Sequence, residues 1–123
     1  MPTPEDAQRV PSDIDPHEIV EVIANGAPLM QDGEAISDYT IVWTAEALAA
    51  ADVSMRTGDY AEELVSINGV AARGVRFWPE FADPDDEAFD GDGVGFPFEF
   101  TFDTNSEPAR RRQRTGIMWV RNQ

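Results

Sequence analysis

Phe96, Phe98, Phe100 and Phe102 alternate with Pro97, Glu99 and Thr101. A period of two puts all four rings on one face of an extended strand and the intervening set on the other. Such a face has to be covered by a second apolar layer. A shorter apolar run, Ile117 to Val120, follows a turn-like segment and the cluster Arg110-Arg-Arg-Gln-Arg114, so residues 94 to 121 read as a closing hairpin.

The same period recurs upstream. Between Ala35 and Thr44, Tyr39, Ile41 and Trp43 share one face and Thr40, Val42 and Thr44 the other, which predicts a strand. Glu18 to Ala24 is rich in β-formers and stops at Asn25-Gly26, although a short helix competes there. Glu63 to Ile67 and Val70 to Trp78 flank Asn68-Gly69, the strongest short hairpin signal. Val53-Ser-Met55 can begin another strand, broken at Gly58-Asp59. Thr44 to Asp52 departs from this pattern: an alanine-rich stretch with Thr44 as a candidate N-cap predicts a two-turn helix. Pro79 to Gly95 reads as a long polar loop, and residues 1 to 16, with four prolines, read as an arm that is disordered or ordered against a neighbour. The expected architecture is therefore an all-β, immunoglobulin-like antiparallel β-sandwich over residues 17–123, preceded by an extended arm over residues 1–16.

At 123 residues the chain has room for one domain with its own core. Cysteine is absent, which excludes thiol catalysis, disulfides and cysteine-based metal sites. The first residues lack an apolar export signal, and no run approaches the roughly 20 apolar residues of a membrane span, so a soluble chain is expected. The net charge is −15, and every cation is an arginine. Compositional bias alone produces such a surface, but the placement of the charge says more. Glu80, Asp83, Asp85, Asp86, Glu87, Asp90 and Asp92 form an acidic block, and Arg110, Arg111, Arg112, Arg114 and Arg121 a basic one. Within the chain, the acidic block is the obvious partner of the arginines; between copies, the two blocks could join neighbours head to tail. Asp83, Asp85, Asp86, Glu87, Arg110, Arg112 and Arg114 are thus interface candidates.

Catalytic patterns are scarce. The sole histidine is His17, and no serine lies in a Gly-x-Ser-x-Gly elbow. Gly91-Asp-Gly-Val-Gly95 is glycine-rich but sits among acids that would repel phosphate. Counting from Asp83, the EF-hand positions that require Gly and Glu hold Ala88 and Val94. No catalytic, cofactor or metal residue is assigned; no nucleic acid partner is expected, because the arginine cluster belongs to a strongly acidic chain, and no membrane partner, because no apolar run is long enough. Most aromatics read as core. Phe77 and Trp78 are adjacent, so in a strand one of them faces outward, and the pair is the best aromatic candidate for an interface.

The stretches Met30-Gln-Asp-Gly-Glu-Ala-Ile-Ser-Asp-Tyr-Thr-Ile-Val-Trp43 and Thr101 to Asn122 resemble the small virion proteins of tailed bacteriophages known as fibre-tail adaptors. Asp32-Gly-Glu34 with Ile36 and Tyr39 matches their opening strand. Thr104-Asn-Ser106 with Arg112, Arg114, Val120 and Arg121 matches their closing hairpin. The long acidic loop and Glu107-Pro108 depart from that pattern. The resemblance implies an immunoglobulin-like sandwich that joins tail, connector or fibre components, in contact with other virion proteins and with copies of itself, and located in the virion. An acidic inhibitor or DNA mimic of a mobile element is the alternative from a different class, and a carbohydrate-binding module is a third.

Overall fold

A computed structural model describes residues 8–9 and 13–122. The strands in chain order are β1 (Gln8–Arg9), β2 (Val22–Asn25), β3 (Ile36–Trp43), β4 (Val53–Met55), β5 (Glu63–Ile67), β6 (Val70–Phe77), β7 (Pro79–Phe81), β8 (Val94–Thr104) and β9 (Arg111–Val120). One helix, α1 (Ala45–Ala50), lies between β3 and β4. Thr44 caps it, its Oγ1 accepting from the Ala47 N–H at 3.2 Å, as the alanine run after a threonine predicts.

The chain is all-β and mostly antiparallel. One sheet has the order β1-β9-β8-β3, a second β2-β6-β5, and a short third pairs β4 with β7. Phe96, Phe98, Phe100 and Phe102 are all buried on one face of β8, against Phe77 and Val75 of β6 and Val22 and Ala24 of β2. Alternation every second residue therefore produces the two-layer core it predicts. Phe98 meets Phe77 edge to face with ring centroids 5.1 Å apart, and Trp43 at 6.2 Å. Asn68 and Gly69 both have positive φ, 51° and 81°, the left-handed pair that a two-residue hairpin turn requires.

Three features go beyond the sequence reading. First, β4 and β5 form one broken strand opposite β6 and β7. Met55 faces Pro79 and Glu63 faces Arg76, so residues 57–62 leave the ladder as an excursion containing Tyr60. Second, the segment Pro79 to Gly95 is not all loop: Pro79–Phe81 pairs with β4, and Phe89 in a 3-10 turn is fully buried in the core. Third, Gln8 and Arg9 pair in parallel with β9, and Ile14 bridges Val120 and is buried. Residues 1–7 and 10–12 of the expected arm lie outside the described residues; its described parts join the sheet of their own chain, ahead of His17.

β3 is the outer strand of its sheet, yet its open side is partly guarded. Asp38 Oδ1 accepts from the Tyr39 N–H at 3.0 Å, next to a bulge between Ile36 and Asp38. Bulges and charged side chains of this kind discourage pairing with a further strand.

Candidate functional site

The register of the closing hairpin decides where the charged candidates go. Val94 faces Val120, and Asp103 faces Arg111, across the whole length of β8 and β9. The acidic block before β8 and the arginines at the start of β9 are thus separated by ten residues of strand, about 30 Å. They do not pair with each other. The expectation that Arg110, Arg112 and Arg114 meet residues 80 to 92 is corrected on this ground.

Because Phe102 faces Arg112 and Phe100 faces Arg114, these two arginines lie on the core side of the sheet, where the two layers part. Arg114 Nη1 donates to the Asn25 carbonyl of the opposite layer at 2.8 Å. Arg110 donates through Nε and Nη2 to both carboxylate oxygens of Glu34 at 2.9 and 2.5 Å, and also to the Leu29 carbonyl at 3.2 Å. Glu34 is buried and accepts a further bond from the Gln31 N–H at 2.7 Å. The Arg110 guanidinium, helped by that N–H, holds the Glu34 carboxyl well below the usual carboxylate range. Arg73 adds bonds to the Gln31 and Glu34 carbonyls. This group fastens the segment 25–35 over the end of the core. Arg112 is half-buried beside it, and Arg111, on the other face, forks onto Asp103.

At the opposite end the acidic residues organise their own loop. Asp83 Oδ1 accepts from the Asp85 N–H and Asp86 Oδ1 from the Ala88 N–H, while Glu87 is exposed. Asp85 reaches His17: Oδ1 lies 2.7 Å from Nε2, and Asp15 Oδ1 lies 3.0 Å from Nδ1. The imidazole is exposed and clasps two segments 68 residues apart. Hydrogen bonds to Asp85 first and Asp15 second raise its pKa. Charged His17 is the form both carboxylates favour, so its contribution is complete below the unfolded value of about 6.5 and is lost as the pH rises through the higher folded value. A His17→Gln variant is expected to differ from the parent in urea midpoint at about pH 5.5 and to converge on it by about pH 9. Equal gaps at both pH values would remove the clasp.

Of the aromatic pair, Phe77 is fully buried, which corrects its place among the interface candidates: it belongs to the face that meets Phe98. Trp78 points outward and is half-buried, with Tyr60 from the excursion packed on it at a centroid distance of 5.2 Å. Sequence reasoning had no reason to join these two rings.

Among the described residues, no three His, Cys, Asp or Glu side chains gather where they could hold a metal ion. No helix among them is long and apolar enough to cross a membrane. A depression of about 210 Å³ between β3 and β8 is lined by Asp38, Tyr39, Thr101, Asp103 and Arg111, with its arginine already bound to Asp103. Besides the Tyr60–Trp78 pair, the sequence reading missed the Glu34–Arg110 pair, whose signal was the Asp32-Gly33-Glu34 stretch, and Phe89, whose signal was a lone ring among acids. No family model, curated protein or solved structure matches this chain.

Proposed function

We propose that this chain is a non-enzymatic structural protein of a tailed-phage or phage-like particle, built on an immunoglobulin-like frame and joining tail, connector or fibre components. One observation carries the reading. The two stretches that resemble fibre-tail adaptors are brought together by the fold, through bonds that span 66 to 76 residues of chain. Asn105 exchanges two bonds with Ala35, Oδ1 accepting from its N–H at 2.8 Å and N–H donating to its carbonyl at 2.9 Å. Ser37 Oγ donates to the carbonyls of Asp103 and Thr104, and Glu34 takes Arg110. Thr104 Oγ1 accepts from the Arg110 N–H and so closes the turn between β8 and β9. Glu34, Thr104 and Asn105 of the matching positions thus enter one polar network with their neighbours in the two stretches, which supports a shared design.

The remaining surface fits a role in assembly. Exposed apolar side chains lie on its strands, among them Val42 on β3, Leu64 on β5 and Val70 on β6. Deleting the coding sequence in the producing cell is expected to leave particles without tails or fibres, and the chain is expected in purified parental particles by mass spectrometry. A chain missing from those particles, with infectivity unchanged by the deletion, would overturn the proposal.

A further inference from the structure

The outer face of β2, β6 and β5 carries an aromatic pair set among carboxylates. Trp78 follows β6 and points outward, with Tyr60, 38% exposed, packed against it. The β2–β6 ladder ends with Val22 opposite Phe77, and Glu21 and Trp78 are the residues just beyond it; Glu80, two residues after Trp78, lies in β7, exposed between the buried Pro79 and Phe81. Glu21, Glu63 and Glu80 are about half exposed, at 47%, 52% and 51% of their side chains. Each is already aimed by a resident guanidinium: Arg76 lies between Glu21 and Glu63, and Arg56 pairs with Glu80 at 3.1 Å. The excursion of residues 57–62 interrupts an otherwise continuous ladder and brings Tyr60 onto the indole.

We infer that this face docks an arginine-bearing basic segment of a partner protein, a guanidinium of which stacks on Trp78 and Tyr60 between the carboxylates of Glu21 and Glu80. Guanidinium is the cation best suited to such a place, since its flat face stacks on aromatic rings while its edge forks onto carboxylates. Charge complementarity selects the occupant. Glu21, Glu63, Glu80 and the exposed Asp59 outnumber Arg56 and Arg76 here, and a chain of net charge −15 repels a second copy of itself and attracts a cation. The arginines a copy could offer are also engaged: Arg110 and Arg114 are turned inward onto Glu34 and Asn25, and the more exposed Arg111 and Arg121 pair with Asp103 and Asp13. The inference rests on the assembly reading and gives it a docking face; the particle experiment tests that reading separately from the titration below.

The test follows the indole N–H signals of the full chain by NMR during titration with a synthetic nonapeptide of alternating glycine and arginine. Saturable binding is expected, weakened about 2- to 30-fold by Trp78→Leu and by Tyr60→Ala. Tyr60 lies on an exposed excursion, so its variant tests the site even if Trp78→Leu fails to fold. The combined variant Asp85→Asn, Asp86→Asn, Glu87→Gln is expected to bind as the parent does. Loss of binding in that variant with none in Tyr60→Ala would overturn the inference, as would no binding at all. So would a neutral oligosaccharide that shifts the Trp78 signal where the peptide does not.

Discussion

Replacing Gly116 by Val is expected to destabilise the fold by about 3 kcal/mol or more, and Gly116→Ala by about 1–3 kcal/mol. Gly116 faces Phe98 across the β8–β9 ladder, and a Cβ there would stand inside the Phe98 ring. The ring has nowhere to go: it is buried and bounded edge to face by Phe77 and Trp43. Glycine within a strand usually weakens it, so alanine normally gains. Here the sign reverses, because the bare backbone is the floor on which an aromatic lies. The measurement is a urea unfolding series with a double-mutant cycle. In a Phe98→Leu background the cost of Gly116→Ala should fall by at least half, since the two positions couple through direct contact. A cost under about 0.5 kcal/mol in the parent background would mean that residue 116 does not carry the ring.

This contact marks the boundary of what could be read from the amino-acid order. The four phenylalanines, the Asn68-Gly69 turn and the Thr44 cap were all legible, because each depends on neighbours within a few positions. Periodicity reports which face a side chain takes, and the burial of β8 alternates from Phe98 to Thr104, with Pro97 buried as well as its neighbours. Pairing between distant strands is another matter. Nothing local in Gly116 says that Phe98 will lie over it, and although Gly58-Asp59 announces a break, nothing there says that the pieces on either side of it will face consecutive stretches of one partner. Phe89 failed for a related reason: a single ring among acids carries no period, yet burial of one aromatic is enough to anchor a loop. The candidate site was legible only as a set of charges. Their partners follow from the register, and the register sent the arginines and the acidic block to opposite ends of the sheet.

The sharpest consequence falls on Arg110. Arg110→Glu is expected to lower the thermal midpoint by roughly 10 °C or more, as breaking a buried charge pair generally does. Two carboxylates would then share a site in which Glu34 is buried and is left with the Gln31 N–H and the Ser106 hydroxyl, both uncharged donors. The damage spreads because the same guanidinium also holds the Leu29 carbonyl, so the segment across the end of the core loses its fastening. An assembly defect in such a variant would report misfolding, and Trp78 and Tyr60 are the better positions for probing contacts. Replacing both partners, Glu34→Gln with Arg110→Gln, should recover much of the loss, since no charge is then left buried without its counterpart. The pH dependence provides an independent check. The folded-state pKa of Glu34 is depressed, so its contribution is complete above the unfolded value of about 4.3 and is lost as the pH falls towards the lower folded value. The parent should therefore shed stability below about pH 4.5 more steeply than the double glutamine variant. If Arg110→Glu melts with the parent, or if the two acid profiles coincide, the pair at the end of the core is not what holds residues 25–35 in place.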